Sequence, residues 1–316
     1  MLRTLHRRRK ALVHWLLPKF SSTSSSSPLP PLSALRGTVQ PHNALILLHS
    51  KYPPLIFPER GPVSEVLKRL QIKAAGWGGV VNWMWDQSWD ASEQKGVDPE
   101  WESYGATIFS RYGQLDLPWV DAGNVDEVGE VIRQFACDVP ENQNQELEKR
   151  AHDSDEVVHL LVCTHMNRDC RCGERGGVLV QALKEEVERA RDTNLIKLKV
   201  NIGQLAHVGG HQCVSLLSHN LCDLFTRFCA HRFAPNLLIY PYGDWYGLLS
   251  PAQVPQILAE IQATAETRGI RPMEKPEELV LSGLREHWRG RMGLSKEEQI
   301  ALAEKFGLQM PLPSAD

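Results

Sequence analysis

The chain has 316 residues, a formal net charge of -3 and 42 % hydrophobic residues. That is enough apolar material for a real core and too much for a disordered chain. No apolar run approaches the roughly 18–20 residues that span a bilayer, so a transmembrane protein is not expected.

The charge is unevenly placed. Residues 1–58 hold eight Lys and Arg and no acid, which leaves the remainder at -11. So acidic a body is a poor nucleic-acid binder, because phosphate contacts need clustered Lys and Arg. It suits a basic protein partner instead. Seven cysteines (Cys137, Cys163, Cys170, Cys172, Cys213, Cys222 and Cys229) are too irregular for a disulfide framework and favour metal or redox chemistry.

The first 27 residues are basic, free of acid and rich in Ser, with Leu2, Leu5, Leu12, Trp15 and Leu16 set among Arg and Lys. This is the composition of a mitochondrial presequence, and the expected location is the matrix. Pro28, Pro30 and Pro31 form a stiff linker, so residues 1–36 are set apart from the folded body.

Within that body the sequence predicts an N-terminal α/β domain over 37–150. Ala44–His49 reads as a buried strand, Pro62–Ala75 as a helix with Val63, Val66, Leu67 and Leu70 on one face, Val80–Trp85 as a strand and Val125–Phe135 as a helix. Trp77, Trp83, Trp85 and Trp89 read as core and interface. Glu141–Glu156 reads as a linker.

A second domain is predicted over 151–267. Its strands are Val157–Cys163, Ile196–Ile202, Leu237–Tyr240 and Tyr246–Leu249, and its helices are Gly177–Arg191 and Pro251–Ala263. The order β-α-β-β-β-α fits a small layered fold of thioredoxin type, so the fold class is mixed α/β. Over 268–316 a helix is expected near Pro276–Trp288, and the capping box Ser295-Lys-Glu-Glu298 opens another.

Cys163 ends a predicted strand, and Cys172 follows a polar loop, Thr164–Arg171. Strand-end loops are where α/β folds carry reactive groups. His207-Val-Gly-Gly-His211 supplies two imidazoles. Two adjacent glycines cost about 1 kcal/mol each inside a helix, so this segment reads as a tight loop. One histidine alone reads as an ordinary core residue. Two Cys and two His at strand-end loops read as a metal or cluster site.

These residues are similar to those of the sucrase/ferredoxin-like family, whose C-terminal domain is a thioredoxin-like ferredoxin, and to its mitochondrial branch. Cys163 and Cys172 match the family's C-x8-C, and His207 and His211 its H-x-G-G-H. Asn236–Gly247 and Glu286–Gly293 resemble the blocks that follow. The resemblance covers about residues 37–300. It implies a [2Fe-2S] cluster held by Cys163, Cys172, His207 and His211, and single-electron transfer with a redox protein partner, or redox quality control, more than catalysis. Against the family, the chain inserts Cys213–Arg232, which reads either as a helix with Val214, Leu217, Leu221, Leu224 and Phe228 on one face or as a retained intron.

Competing chemistries use the same residues. Zinc would accept this donor set, but finger cysteines sit two to four residues apart and the histidines on a helix. A Rieske centre would need C-x-x-H after Cys163-Thr-His165, and none is present. A thiol oxidoreductase would need C-x-x-C, where the chain has only Cys170-Arg-Cys172. His165 and His219 have no partner that the sequence reveals.

Overall fold

The structure is a computed structural model that describes residues 30–87, 102–137, 157–208, 233–273 and 278–308. The basic N-terminal segment, Trp89, the expected linker, His211 and the insert 213–232 lie outside the described residues.

In the first half Ala44–His49 (β1) leads through Glu65–Ala75 (α1) into Gly79–Trp85 (β2), which pairs parallel with β1. The Ser64 hydroxyl caps α1 by accepting from the Leu67 amide. The helix therefore starts after Val63, which is 87 % exposed rather than on its apolar face. An antiparallel hairpin follows, Ser103–Ser110 (β3) and Gly113–Asp121 (β4), and then the helix Val125–Cys137 (α2). That hairpin is not expected from the sequence.

The second half begins with Val157–Cys163 (β5), Cys170–Asp192 (α3) and Lys199–Leu205 (β6), with β6 parallel to β5. The hairpin Asn236–Tyr240 (β7) and Asp244–Gly247 (β8) and the helix Val254–Arg268 (α4) complete it. Both halves thus have the order β-α-β-β-β-α, which the sequence shows only in the second. The lateral order repeats as well, β2-β1-β3-β4 in one half and β6-β5-β7-β8 in the other. Antiparallel pairing of Met84 with Leu205 and Trp85 with Gln204 joins β2 to β6, so one sheet runs through both halves.

Near the C-terminus the expected helix is absent among the described residues. A short 3-10 turn, Ser282–His287, leads into a strand, Trp288–Arg291 (β9), which forms the edge of the nine-stranded sheet beside β8. Arg291 is drawn into that strand because Asp244 on β8 binds it. The guanidinium donates to both carboxylate oxygens, at 2.7 and 2.9 Å, and both side chains are buried. The helix Lys296–Lys305 (α5) starts at the expected capping box, with Ser295 and Glu298 bonding reciprocally.

The sheet curls. Four strands lie between β3 and β7, which would separate them by about 24 Å if the sheet were flat. Yet the rings of Phe109 and Tyr240 stack at 4.4 Å, and Phe109 meets His159 of β5 at 5.1 Å. Strand side chains alternate between faces, so the curl makes an inner core and two outer ones. Leu45, Leu47, Met84, Leu161, Leu205, Leu238 and Trp245 point inward, together with Cys163 and Cys172. Their strand neighbours pack outward, Ile46 and Leu48 against α1 and α2, Leu160 and Val162 against α3 and α4. The two cysteines therefore lie in the core that both halves share.

Candidate metal centre

The site forms where β5 and β6 end side by side. Cys163 is the last residue of β5 and pairs with Leu205, the last of β6. His207 follows two residues later. Cys172 comes from the first turn of α3, because that helix begins at Cys170 and not at Gly177. Asp169 starts it: its carboxylate accepts from the Arg171 amide at 2.9 Å. The polar loop between the cysteines is thereby shortened to Thr164–Asp169.

Three glycines in the first turns of α3 make that start look unfavourable, yet one is required. A Cβ on Gly176 would lie 2.2 Å from the Cys163 carbonyl oxygen. Only glycine lets the helix approach the strand end closely enough to bring Cys172 beside Cys163.

Both cysteines are fully buried and His207 is half-buried. One donor atom from each of Cys163, Cys172 and His207 lies within 4.8 Å of the other two. His207 Nδ1 is 3.8 Å from the Cys172 sulfur. The Cys172 hydrogen bond, aided by His207 and the Val208 amide, holds Cys163 well below its ordinary thiol value against the opposing effect of burial. Cys172 is correspondingly pushed up by the same pairing and by burial. A site that favours a thiolate in the absence of metal is prepared for a soft cation or an iron-sulfur cluster. Cys170 is exposed at the helix start and takes no part in this group.

The first half helps to hold the site. His165 donates from Nε2 to the Pro58 carbonyl at 2.8 Å; a carbonyl can only accept, so Nδ1 is left free to accept. It accepts from the His207 amide at 3.4 Å. Asn167 donates to the Phe57 carbonyl, and the Ala206 amide to the Trp83 carbonyl. His165, which the sequence leaves without a partner, thus ties the His207 backbone to the loop before α1. Its only sequence signal is its place two residues after Cys163. Trp83 itself is core, meeting Tyr104 edge-on at 4.8 Å.

A sucrase/ferredoxin-like family model matches residues 37–215, more than half of the chain and all of the site described above. The chain belongs to the sucrase/ferredoxin-like family. Among curated relatives, Altered inheritance of mitochondria protein 32 of Eremothecium gossypii is 32 % identical over 102 residues, which cover 31 % of this chain and 26 % of that protein. The proteins of that name from Debaryomyces hansenii and Meyerozyma guilliermondii are 28 % identical over 106 residues and 29 % over 140. These cover 32 % and 42 % of this chain and 29 % and 40 % of the relatives. Each match thus spans two fifths or less of the relative's own length. No solved structure matches the chain significantly.

As a family member the chain brings together three of its four expected ligands, while His211 lies outside the described residues. The donor chemistry fits the group that the ferredoxin likeness implies. Two sulfurs and an imidazole nitrogen converge, and no Asp or Glu joins them in that group among the described residues. Among the described residues, no helix is long and apolar enough to cross a membrane.

Proposed function

We propose that this protein is a mitochondrial electron-transfer protein that holds a [2Fe-2S] cluster through Cys163, Cys172, His207 and His211. The observation that supports this most directly is the convergence of the two buried cysteines with His207 at one strand-end site. Such a cluster needs four ligands, and His211 is the donor that the loop after His207 offers in this sequence. The mitochondrial location rests on the basic, acid-free N-terminal segment and on the names of the relatives. We place the cluster in a thioredoxin-like unit over 151–267, with the unit over 37–150 supporting it, and expect the partner to be a basic redox protein.

A bound cluster would supply one-electron chemistry; the chain's residues set its charge and access. Two neutral imidazoles in place of two thiolates make the site less negative, which raises its reduction potential above that of an all-cysteine site. The second nitrogen of each imidazole can exchange a proton as the charge changes, so the potential depends on pH. Replacing His207→Cys is the test. The variant should keep its visible absorbance, show a lower potential and lose part of its pH dependence. A wild-type potential that is flat from about pH 6 to 9, where ligand imidazoles titrate, would contradict histidine ligation. Wild-type protein that is colourless and holds zinc would replace the cluster with a structural metal site.

A further inference from the structure

Two arginines lie two residues apart at the sheet edge, and their surroundings differ. Arg291 is neutralised by the Asp244 carboxylate, as described above. Arg289 is equally buried, at 3 % exposure, but its hydrogen-bond partners are neutral. It donates from Nε to the Thr38 hydroxyl at 3.0 Å and from Nη1 to the Asn236 side-chain oxygen at 2.6 Å, and it lies over the Phe233 ring at 4.9 Å.

The backbone aims it there. Tyr246 of β8 pairs with Trp288 and Trp245 with Gly290, so Arg289 is the extra residue of a β-bulge. Bulges redirect a side chain out of the regular alternation. Neighbouring chain holds this one in place. The Thr38 amide donates to the Arg289 carbonyl, and a Cβ on Gly290 would lie 2.0 Å from the Gln299 side-chain oxygen.

The redirected side chain faces a cavity that His207 also lines. Arg289 shares a cavity of about 30 Å³ with His42, Asn82, His207, Val208 and Trp245. Burial pulls its guanidinium down to about 10, still charged at neutral pH, and the groups whose negative charge opposes that pull are the Cys172 and Cys163 sulfurs, which become thiolates when they hold a metal.

We infer that Arg289 is the counter-charge of the cysteine–histidine site: a buried guanidinium, aimed by a β-bulge, that favours the reduced state of the bound cluster. This rests on the cluster reading above. With two ferric ions, two sulfides, two thiolates and two neutral imidazoles the oxidised site is formally neutral. One electron from a donor makes it singly negative, until a ligand imidazole takes up a proton in response. A fixed positive charge beside a site that becomes negative favours that gain. Arg289 is thus a positioning residue for charge and not a ligand.

The test compares midpoint potentials in the reconstituted full chain by spectroelectrochemical titration. Arg289→Gln removes the charge. Asn236→Asp keeps the guanidinium and its packing but sets a carboxylate against it. Both should make reduction at least about tenfold less favourable, which is 59 mV for one electron. Arg289→Lys, which keeps the charge, should stay nearer to wild type than Arg289→Gln. A purely structural role would change thermal stability and leave the potential in place. Wild-type potentials in loaded Asn236→Asp, or Lys as low as Gln at position 289, would overturn the inference. If Arg289→Gln does not load, Asn236→Asp decides. Wild-type protein that takes up no cluster would overturn the cluster reading, and this inference with it.

Discussion

A methyl group on Gly176 would sit 2.2 Å from the carbonyl oxygen of Cys163, so the contact between α3 and β5 depends on that hydrogen. The neighbouring glycines differ. A Cβ on Gly173 would lie 2.7 Å from the Met166 side chain, its own Cβ included, and one on Gly177 would meet nothing within 4 Å. Gly176→Ala should therefore cost about 1–3 kcal/mol, as overpacking does, and should move Cys172 away from Cys163. Gly177→Ala should be neutral or stabilise by up to about 1 kcal/mol, as alanine does in a helix. Denaturant melts and iron content of the two variants check the pair. Equal behaviour would show that the close approach is not what holds the cysteines together.

His165 offers a second test of how the site is built. His165→Phe keeps a ring against Phe57, whose centroid lies 5.7 Å away, but removes both hydrogen bonds to Pro58 and the His207 amide. The chain should fold, while a chelator should strip its metal roughly tenfold faster, in the range found when a ligand's supporting hydrogen bond is lost. An unchanged rate of loss would mean that the His207 loop is held by other contacts.

Asp244 is the hub of the C-terminal edge. Besides Arg291 it accepts from Trp288 Nε1 and the Val280 amide, both at 3.0 Å. Asp244→Asn leaves the buried Arg291 without a counter-charge, and a loss of about 3–5 kcal/mol is expected. Thermal or urea unfolding measures it. A change under about 1 kcal/mol, as for an exposed pair, would contradict the burial.

What could be read in the sequence follows from how local each signal is. Val157–Cys163 is a run of apolar and β-branched residues, and the structure has a strand with those bounds. The capping box at Ser295 is local too, and it forms. The start of α3 was not legible, because Gly173, Gly176 and Gly177 argue against a helix until Cys163 is packed against them. The strand Trp288–Arg291 was not legible either: two arginines and a glycine become a strand only once Asp244 lies across from Arg291. The curl that brings Phe109 to Tyr240 is set by pairing between distant segments, so the shared inner core had no sequence signature. At the site, spacing pointed to both cysteines and His207, while His165 and Arg289 act through contacts that no spacing reveals.

Acid sensitivity follows from two buried imidazoles. Burial pulls His42 and His159 from 6.5 down to about 4. Their folded values lie below the unfolded one, so the unfolded chain binds protons first as pH falls. Their stabilising contribution is fully present above pH 6.5 and is lost progressively as pH drops from 6.5 to about 4. Each accounts for about 3 kcal/mol across that window. Urea unfolding at a series of pH values should show this fall, with a shallower slope in His159→Gln. A stability independent of pH over the same window would mean that these rings are protonated in the folded protein.

The most direct test of the central claim is iron and acid-labile sulfide analysis of the anaerobically purified full chain. The Cys163, Cys172, His207 and His211 assignment predicts two irons and two sulfides per chain, with both lost in Cys163→Ser. Zinc bound without sulfide, or sulfide retained in Cys163→Ser, would contradict it.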